Sequence, residues 1–180
     1  MRVTRRIMVA LLTTGLAMLM VGLALRVYMG SRAQDRLASE EAVNLTELRP
    51  PLPKAALLAC PPNYCVAQQM TSPVFDMPWD RLQEYWQEMI GSERPMVLAA
   101  TDPEHHRFVY IQHSPIFRFP DLITVEFVLL GSDLSSIALY SRSRYGEYDY
   151  AKNRKRVERW LVLLQKVAQP AAARSQDRVQ

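Results

Sequence analysis

The feature that most constrains this chain is an uncharged run of 19 residues near its start. The run extends from Ile7 to Leu25 and reads IMVALLTTGLAMLMVGLAL. At about 1.5 Å per residue, a helix of this length is long enough for a hydrocarbon core of about 30 Å. The pattern predicts a transmembrane helix. A cleaved signal peptide is the alternative, but its apolar region is usually only about 7 to 15 residues long.

Basic residues around the apolar run indicate its orientation. Arg2, Arg5 and Arg6 precede the run, and Arg26 follows it. Positive charge is enriched on the cytoplasmic side of membrane helices, so this small asymmetry places the N-terminus inside. We therefore predict a single-pass protein of a bacterial inner membrane, with the rest of the chain in the periplasm.

The distribution of charge argues against a nucleic-acid partner. The formal net charge is +4, and the first 26 residues carry four arginines and no acidic residue. Beyond them, 18 lysines and arginines stand against 18 aspartates and glutamates. The remaining chain is neutral, whereas a nucleic-acid-binding domain is typically basic over one face.

A polar and then proline-rich segment follows the apolar run. Three prolines lie within LRPPLPKAALLAC, and proline stiffens the backbone while removing an amide donor. This composition is typical of a spacer. We predict four regions: an anchor over residues 1–27, a linker over 28–59, a globular domain over 60–168 and a disordered tail over 169–180.

Hydrophobic periodicity predicts the fold of the globular region. Trp79, Leu82 and Trp86 recur at helical spacing, and so do apolar residues between about Tyr150 and Val167. Between these helices lie four strand-like segments, RPMVLAAT, RFVYIQHS, DLITVEFVLL and SSIALYSRS. No long crossover separates them, which favours antiparallel pairing. We predict an α+β fold, a four-stranded antiparallel sheet with two flanking helices in the order α-β-β-β-β-α, preceded by the transmembrane helix.

The two cysteines, Cys60 and Cys65, enclose the loop CPPNYC. In an oxidising compartment such as the periplasm, two cysteines this close are expected to form a disulfide. Free thiols are one alternative. A fragment of a metal site is the other, although structural zinc requires four ligands.

The histidines and the known catalytic motifs give little support for an enzyme. His105, His106 and His113 could form a metal site with Asp102 or Glu104, but adjacent histidines on a strand point to opposite faces. We predict no metal and no cofactor. The sequence has no nucleophile elbow, phosphate loop or dinucleotide fingerprint. We therefore predict no catalytic residues and favour a protein that is not an enzyme.

The stretch SRSRYGEYDYAKNRKRVERWL allows two interpretations. Arg142 and Arg144 are two apart on a strand and share one face, and Asn153 falls on the apolar stripe of the last helix, where its amide needs partners. The structural interpretation is a latch of Arg144, Asp149 and Asn153. The functional interpretation is an anion pocket of Arg142, Arg144, Arg154 and the helix N-terminus. We favour the latch because acidic residues lie within reach of the arginines.

These motifs resemble a protein family. CPPNYC, FRFPD with VEF downstream, and the last stretch are similar to the bacterial and plastid proteins called domain of unknown function 1499, over about residues 60–167. The family pattern Ser-Arg-x-Gly-x-x-Asp-x-Gly-x-Asn-Arg-x-Arg is matched by Ser143, Arg144, Gly146, Asp149, Asn153, Arg154 and Arg156. Ala151 replaces the second glycine, which suggests an ordinary helical turn. The resemblance implies a fold, and the family has no established catalytic residues.

The predicted function is binding. We expect a membrane-anchored envelope protein whose domain is a scaffold or ligand-binding module, with an anionic lipid or an envelope protein as partner. The alternative is an envelope hydrolase that holds an anionic or acyl substrate with the arginines. A buried polar latch over a filled core favours binding, whereas an open cleft in which Arg142, Asp121 and a histidine converge favours hydrolysis.

Overall fold

The computed structural model describes residues 2–37, 43–93, 95–114, 118–145 and 151–168. These ranges contain three helices and seven strands. The helices are α1 (Arg2–Leu37), α2 (Trp79–Gly91) and α3 (Lys152–Ala168). The strands are β1 (Ala56–Cys60), β2 (Met70–Thr71), β3 (Val74–Phe75), β4 (Met96–Asp102), β5 (Arg107–His113), β6 (Pro120–Gly131) and β7 (Leu134–Ser143).

The described strands form one mixed sheet. Their order is β2-β1-β7-β6-β5-β4, and β3 also pairs with β7. β1 and β2 are parallel, and the other described pairs are antiparallel. The two longest strands, β6 and β7, form a central hairpin whose turn is Ser132-Asp133. Because side chains alternate along a strand, this hairpin presents one set of residues to the helices and another to the opposite face.

The helices α2 and α3 pack on one face of the sheet, which we call the helix face. Leu82 and Trp86 of α2 and Trp160 and Leu164 of α3 are completely buried there. Their spacing of four residues places each pair on one side of its helix. The two indole rings meet edge to face, with centroids 5.5 Å apart. Such a contact contributes about 0.5–1.5 kcal/mol beyond area burial, so it helps to fix the helices on the sheet.

The opposite face is covered in part by the chain that precedes β1. Leu45 is completely buried and belongs to a second hydrophobic cluster with Leu58 and Tyr140. Residues 43–60 therefore include parts of the packed core. The division of the chain into four regions stays a prediction, and the proposed tail, residues 169–180, lies outside the described residues.

The predicted sheet is wrong in strand number and in pairing. A four-stranded antiparallel sheet with two helices was expected, whereas the described sheet has seven strands and one parallel pair. The four segments predicted as strands overlap β4, β5, β6 and β7. β1 reads ALLAC and is buried in four of its five residues, and a strand covered on both faces shows no alternation. β2 and β3 have two residues each, too few to produce a period.

The prediction of a transmembrane helix is also wrong. In the part of the chain that the structure describes, no helix is both long enough and apolar enough to cross a membrane. The helix that contains the apolar run, α1, is apolar over only part of its length, because charged residues lie on both sides of the run. The predicted location, a single-pass inner-membrane protein with its domain in the periplasm, is contradicted by the same finding.

Candidate functional site

The distinctive C-terminal stretch folds at the corner where β6 begins, β7 ends and α3 begins. Ser141 and Ser143 are two apart on β7, so both side chains lie on the helix face. Asp121 of β6 is directly opposite Ser143 in the sheet register. Asn153 and Arg156 are one turn apart on α3 and approach the same place. We call these five residues the polar latch.

The carboxylate of Asp121 uses both of its oxygens in the latch. Ser143 Oγ donates to Oδ1 at 2.9 Å, and Arg156 Nη2 donates to Oδ2 at 2.5 Å. The side chains of Arg156 and Asp121 are only 11% and 14% exposed. A charge-assisted hydrogen bond with little exposure is stronger than a surface ion pair, because water screens it less.

Asn153 is the centre of the latch. Its side-chain oxygen accepts hydrogen bonds from Ser141 Oγ at 2.6 Å and from Arg156 Nη1. Its amide nitrogen donates to the carbonyl of Ala55 at 2.8 Å and to Ser143 Oγ at 3.3 Å. The residue is almost completely buried, so these bonds satisfy a group that would otherwise be costly to bury. The latch therefore ties α3 to β7 and to the chain that leads into β1.

The predicted latch of Arg144, Asp149 and Asn153 corresponds only in part to this arrangement. Asn153 has the buried position that was expected, and its described charged neighbours are Arg156 and, through that residue, Asp121. Arg144 is exposed, and its backbone N–H donates to the carbonyl of Pro120 at 3.2 Å. Asp149 lies outside the described residues. A latch through Arg144 and Asp149 stays a prediction.

A second polar cluster lies on the opposite face of the sheet. Arg107 of β5 and Glu126 of β6 are directly opposite each other, with side chains 4% and 3% exposed. Arg107 Nε donates to Glu126 Oε2 at 2.8 Å, and the hydroxyl of Tyr64 donates to Glu126 Oε1. Arg107 Nη1 also lies 3.4 Å from Asp102 Oδ2. We call these four residues the buried ion-pair cluster. Neither Arg107 nor Glu126 was selected from the sequence.

The cysteine loop carries Tyr64 to this cluster. Cys60 and Cys65 form a disulfide, with Cα atoms 6.0 Å apart. Asn63 adopts a left-handed backbone with φ 62°, a conformation that asparagine tolerates better than most residues. Burial raises the pKa of Tyr64, and the hydrogen bond to Glu126 raises it further. The phenol therefore stays protonated and acts as a donor to the buried carboxylate.

The three histidines do not converge. His105 Nδ1 lies 2.9 Å from Asp102 Oδ2, whereas the ring of His106 stacks on Trp79 with centroids 3.7 Å apart. His113 is at the far end of β5. Burial alone would raise the pKa of Asp102, but the hydrogen bonds from His105 and the charge of Arg107 outweigh it and lower the pKa. Over the described ranges, no group of three or more histidine, cysteine or acidic residues could hold a metal.

The register brings three basic residues, His113, Arg142 and Arg144, to the same end of β5, β6 and β7, on the face opposite the helices, and Arg118 lies in the loop before β6. His113 pairs with Pro120, Arg142 pairs with Leu122, and Arg144 is hydrogen-bonded to Pro120. Since Ser141 and Ser143 point to α3, alternation turns Arg142 away from it. We call His113, Arg118, Arg142 and Arg144 the basic corner.

Electrostatics support the proximity of two of these groups, Arg118 and His113. Burial lowers the pKa of His113, and the charge of Arg118 lowers it further against the opposing effect of Asp121. Arg142 acts on Tyr140, whose pKa is raised by burial and partly lowered by the guanidinium. By contrast, Arg154 lies on the exposed side of α3 and faces Glu158 at 3.5 Å. The predicted anion pocket of Arg142, Arg144, Arg154 and the helix N-terminus stays a prediction.

The mixed sheet with α2 and α3 on one face, closed by the polar latch, defines an α+β domain with a characteristic C-terminal corner. A model of the family described as "Protein of unknown function (DUF1499)" matches residues 56–164, more than half of the chain. The chain belongs to this family, and the resemblance inferred from its motifs is confirmed. Comparison with curated proteins and with solved structures finds no match.

The structure gives a physical reason for the second glycine of the family pattern, at the position that Ala151 occupies in this chain. This residue has φ 60°, in the left-handed region, and its carbonyl accepts the N–H of Lys155 at 3.0 Å as α3 begins. The expectation of an ordinary helical turn is wrong here. This conformation costs a residue with a Cβ atom about 1–2 kcal/mol, whereas glycine adopts it without that cost. The glycine of the family pattern is the residue that suits this backbone.

Proposed function

We propose that this domain is a binding module, not an enzyme, and that it binds an anionic group at the basic corner. The observation that supports this most directly is the register of β5, β6 and β7. It brings His113, Arg142 and Arg144 to one end of one face, and the loop before β6 adds Arg118. Guanidinium groups offer several donors in a plane, a geometry suited to phosphate and carboxylate.

The engagement of the buried carboxylates supports binding over hydrolysis. Asp121 accepts bonds from Ser143 and Arg156, and both oxygens of Glu126 are likewise engaged by Tyr64 and Arg107. A general base must present a lone pair to its substrate, and these carboxylates are occupied in internal contacts. The hydrolase alternative requires Asp121 to converge with Arg142. Asp121 is turned to the helix face and Arg142 to the opposite face.

Inorganic phosphate is a suitable probe for this proposal. A ligand that binds only the folded state raises the melting temperature by mass action. For a chain of this size, we expect a rise of about 3 to 6 °C when phosphate is about ten times its Kd. The double variant Arg142→Met with Arg144→Met should lose most of that rise, because hydrogen bonds to charged groups contribute about 1.5–3 kcal/mol each.

The matched control is Arg154→Met. Like each of the two changes in the double variant, it removes one positive charge, here from an exposed position on α3, and it should leave the phosphate-dependent rise unchanged. An equal loss in the control would point to non-specific attraction by net charge. The proposal is contradicted if phosphate fails to stabilise the unaltered chain, or stabilises the double variant equally well.

A further inference from the structure

We infer that the disulfide between Cys60 and Cys65 is a redox-sensitive switch that acts on the buried ion-pair cluster through Tyr64. In the oxidised chain, the bond holds Tyr64 in the position where its hydroxyl donates to the carboxylate of Glu126. Reduction releases the loop and leaves that carboxylate without its hydroxyl donor. The switch is independent of anion binding at the basic corner.

The disulfide fastens the far end of the cysteine loop to the sheet. Cys60 is the last residue of β1 and is completely buried there. Within the loop, the N–H of Tyr64 donates to the carbonyl of Pro61 at a distance of 3.3 Å, which is long for a hydrogen bond. Beyond Cys65, the next described side-chain hydrogen bond to a strand is made by Gln68, three residues further on. The covalent bond next to Tyr64 is therefore the strongest restraint on where its side chain lies.

The carboxylate of Glu126 is sensitive to the loss of this one contact. It is buried, with one oxygen bonded to Arg107 Nε at 2.8 Å and the other bonded to the hydroxyl of Tyr64. Among the residues that the structure describes, no other group donates to the second oxygen. A buried charged acceptor that loses its donor bears the full cost of its desolvation. The redox state of a surface loop is thereby linked to an ion pair between β5 and β6.

A reductant can approach the disulfide from the side of Cys65. Val66 is 65% exposed and Cys65 is 7% exposed, whereas Cys60 is completely buried. The thiolate of a small dithiol therefore attacks Sγ of Cys65 and forms a mixed disulfide, while Cys60 leaves as a thiolate and takes up a proton. The second thiol of the reductant then displaces Cys65 as a thiol. The dithiol is oxidised to a cyclic disulfide, and its two electrons and two protons end on the two cysteines.

Thermal unfolding of the full chain with and without dithiothreitol tests the link between the disulfide and Tyr64. The sequence has only two cysteines, so the reductant acts on this bond alone. Reduction should lower the melting temperature of the unaltered chain by about 10 °C, because the loop closure and the hydroxyl contact are lost together. In Tyr64→Phe only the loop closure remains to be lost, so the fall should be about half as large.

The matched control is Tyr140→Phe. Tyr140 belongs to the same hydrophobic cluster as Tyr64 and both cysteines, but the described hydrogen bonds of Glu126 come from Tyr64 and Arg107. The substitution removes the same phenolic hydroxyl from a position that has no bond to Glu126. Reduction should therefore still lower the melting temperature of this variant by about 10 °C.

Tyrosinate absorption in the near ultraviolet reports on Tyr64 itself. Burial and the hydrogen bond to Glu126 raise the pKa of Tyr64, so in the oxidised chain this residue should stay protonated at high pH. At about pH 11, an exposed tyrosine with a pKa of about 10 is mostly ionised. Reduction should therefore add one ionised tyrosine at that pH, and Tyr64→Phe should abolish the increase. Circular dichroism at the same pH checks that the chain stays folded.

Three results would overturn the switch. If dithiothreitol cleaves the bond only after a denaturant has unfolded the chain, the disulfide is structural, and alkylation of the thiols followed by mass measurement detects this. Unfolding of the chain on reduction at room temperature would likewise show a structural bond, because a switch needs a folded reduced state. An equal fall in melting temperature in Tyr64→Phe and in the unaltered chain would show that the disulfide does not act through Tyr64.

Discussion

The two faces of the sheet each hold an acid–arginine pair with a hydroxyl donor, but the two pairs have different surroundings. In the polar latch, Asp121 and Arg156 keep a tenth or more of their side-chain surface in water. In the buried ion-pair cluster, Glu126 and Arg107 keep almost none. The deeper pair joins neighbouring strands, whereas the shallower one joins a strand to a helix distant in sequence.

This difference in burial indicates how each ion pair contributes to the stability of the fold. A fully buried ion pair gives little net stability relative to apolar residues, because desolvation offsets the attraction, yet removal of one partner is severe. The latch is less buried and spreads its bonds over Ser141, Ser143, Asn153 and the carbonyl of Ala55. We therefore expect the buried pair to be the more sensitive to single substitutions, and the latch to control the attachment of α3.

The largest effect is expected for Glu126→Gln. This change leaves the buried guanidinium of Arg107 with only its longer contact to Asp102, which should lower the free energy of unfolding by about 3–5 kcal/mol. Urea denaturation measures the loss. Glu158→Gln is the control, because it neutralises an exposed acid paired with Arg154 and should cost less than about 0.5 kcal/mol. Similar small losses in both variants would show that the cluster is not buried as described.

A smaller loss is expected for Asp121→Asn in the polar latch. The amide can still accept from Ser143, and Arg156 can reach some water, so we expect about 2–3 kcal/mol. A double-mutant cycle with Arg156→Met should give a coupling energy of at least about 1 kcal/mol. Additive losses would contradict the latch. A loss larger than that of Glu126→Gln would reverse the comparison between the two faces.

The smallest effect, and the only one of opposite sign, is expected for Ala151→Gly. Relief of the left-handed strain is worth about 1–2 kcal/mol, and the greater freedom of glycine in the unfolded chain offsets part of it. We expect a gain of about 0.5–1 kcal/mol in thermal or urea unfolding. Ala100→Gly, in strand β4, should instead destabilise by a similar amount. A destabilised Ala151→Gly variant would argue against the positive φ at this position.

The sequence predicted secondary structure correctly where a segment has a clear hydrophobic period. Alternating residues mark the segments that became β4 to β7, and helical spacing marks α2 and α3. The buried strand β1 lacks alternation, and the very short β2 and β3 lack any period, so the extent of the sheet was not predictable in this way. The transmembrane prediction rested on run length alone, and the described helix does not support it.

The polar latch and the buried ion-pair cluster could not be predicted from the sequence for a related reason. Asp121 and Arg156 are 35 residues apart, and Glu126 and Arg107 are 19 apart, so their contacts depend on strand register that sequence alone does not give. One signal was present. Glu126 lies within the otherwise apolar strand DLITVEFVLL, and a charged residue in such a strand needs a buried partner. That signal predicts that Glu126 has a buried partner, but it does not identify which residue the partner is.

An NMR titration of backbone amides with inorganic phosphate tests the central claim most directly, because it locates binding without a substitution. The proposed binding module predicts saturable shifts at His113, Arg118, Arg142 and Arg144, with little change at Arg154 on α3. Saturation separates a site from general attraction between phosphate and a basic protein. Shifts centred on Arg154 and the start of α3, or no saturable shifts at any residue, would contradict the claim that the basic corner binds anions.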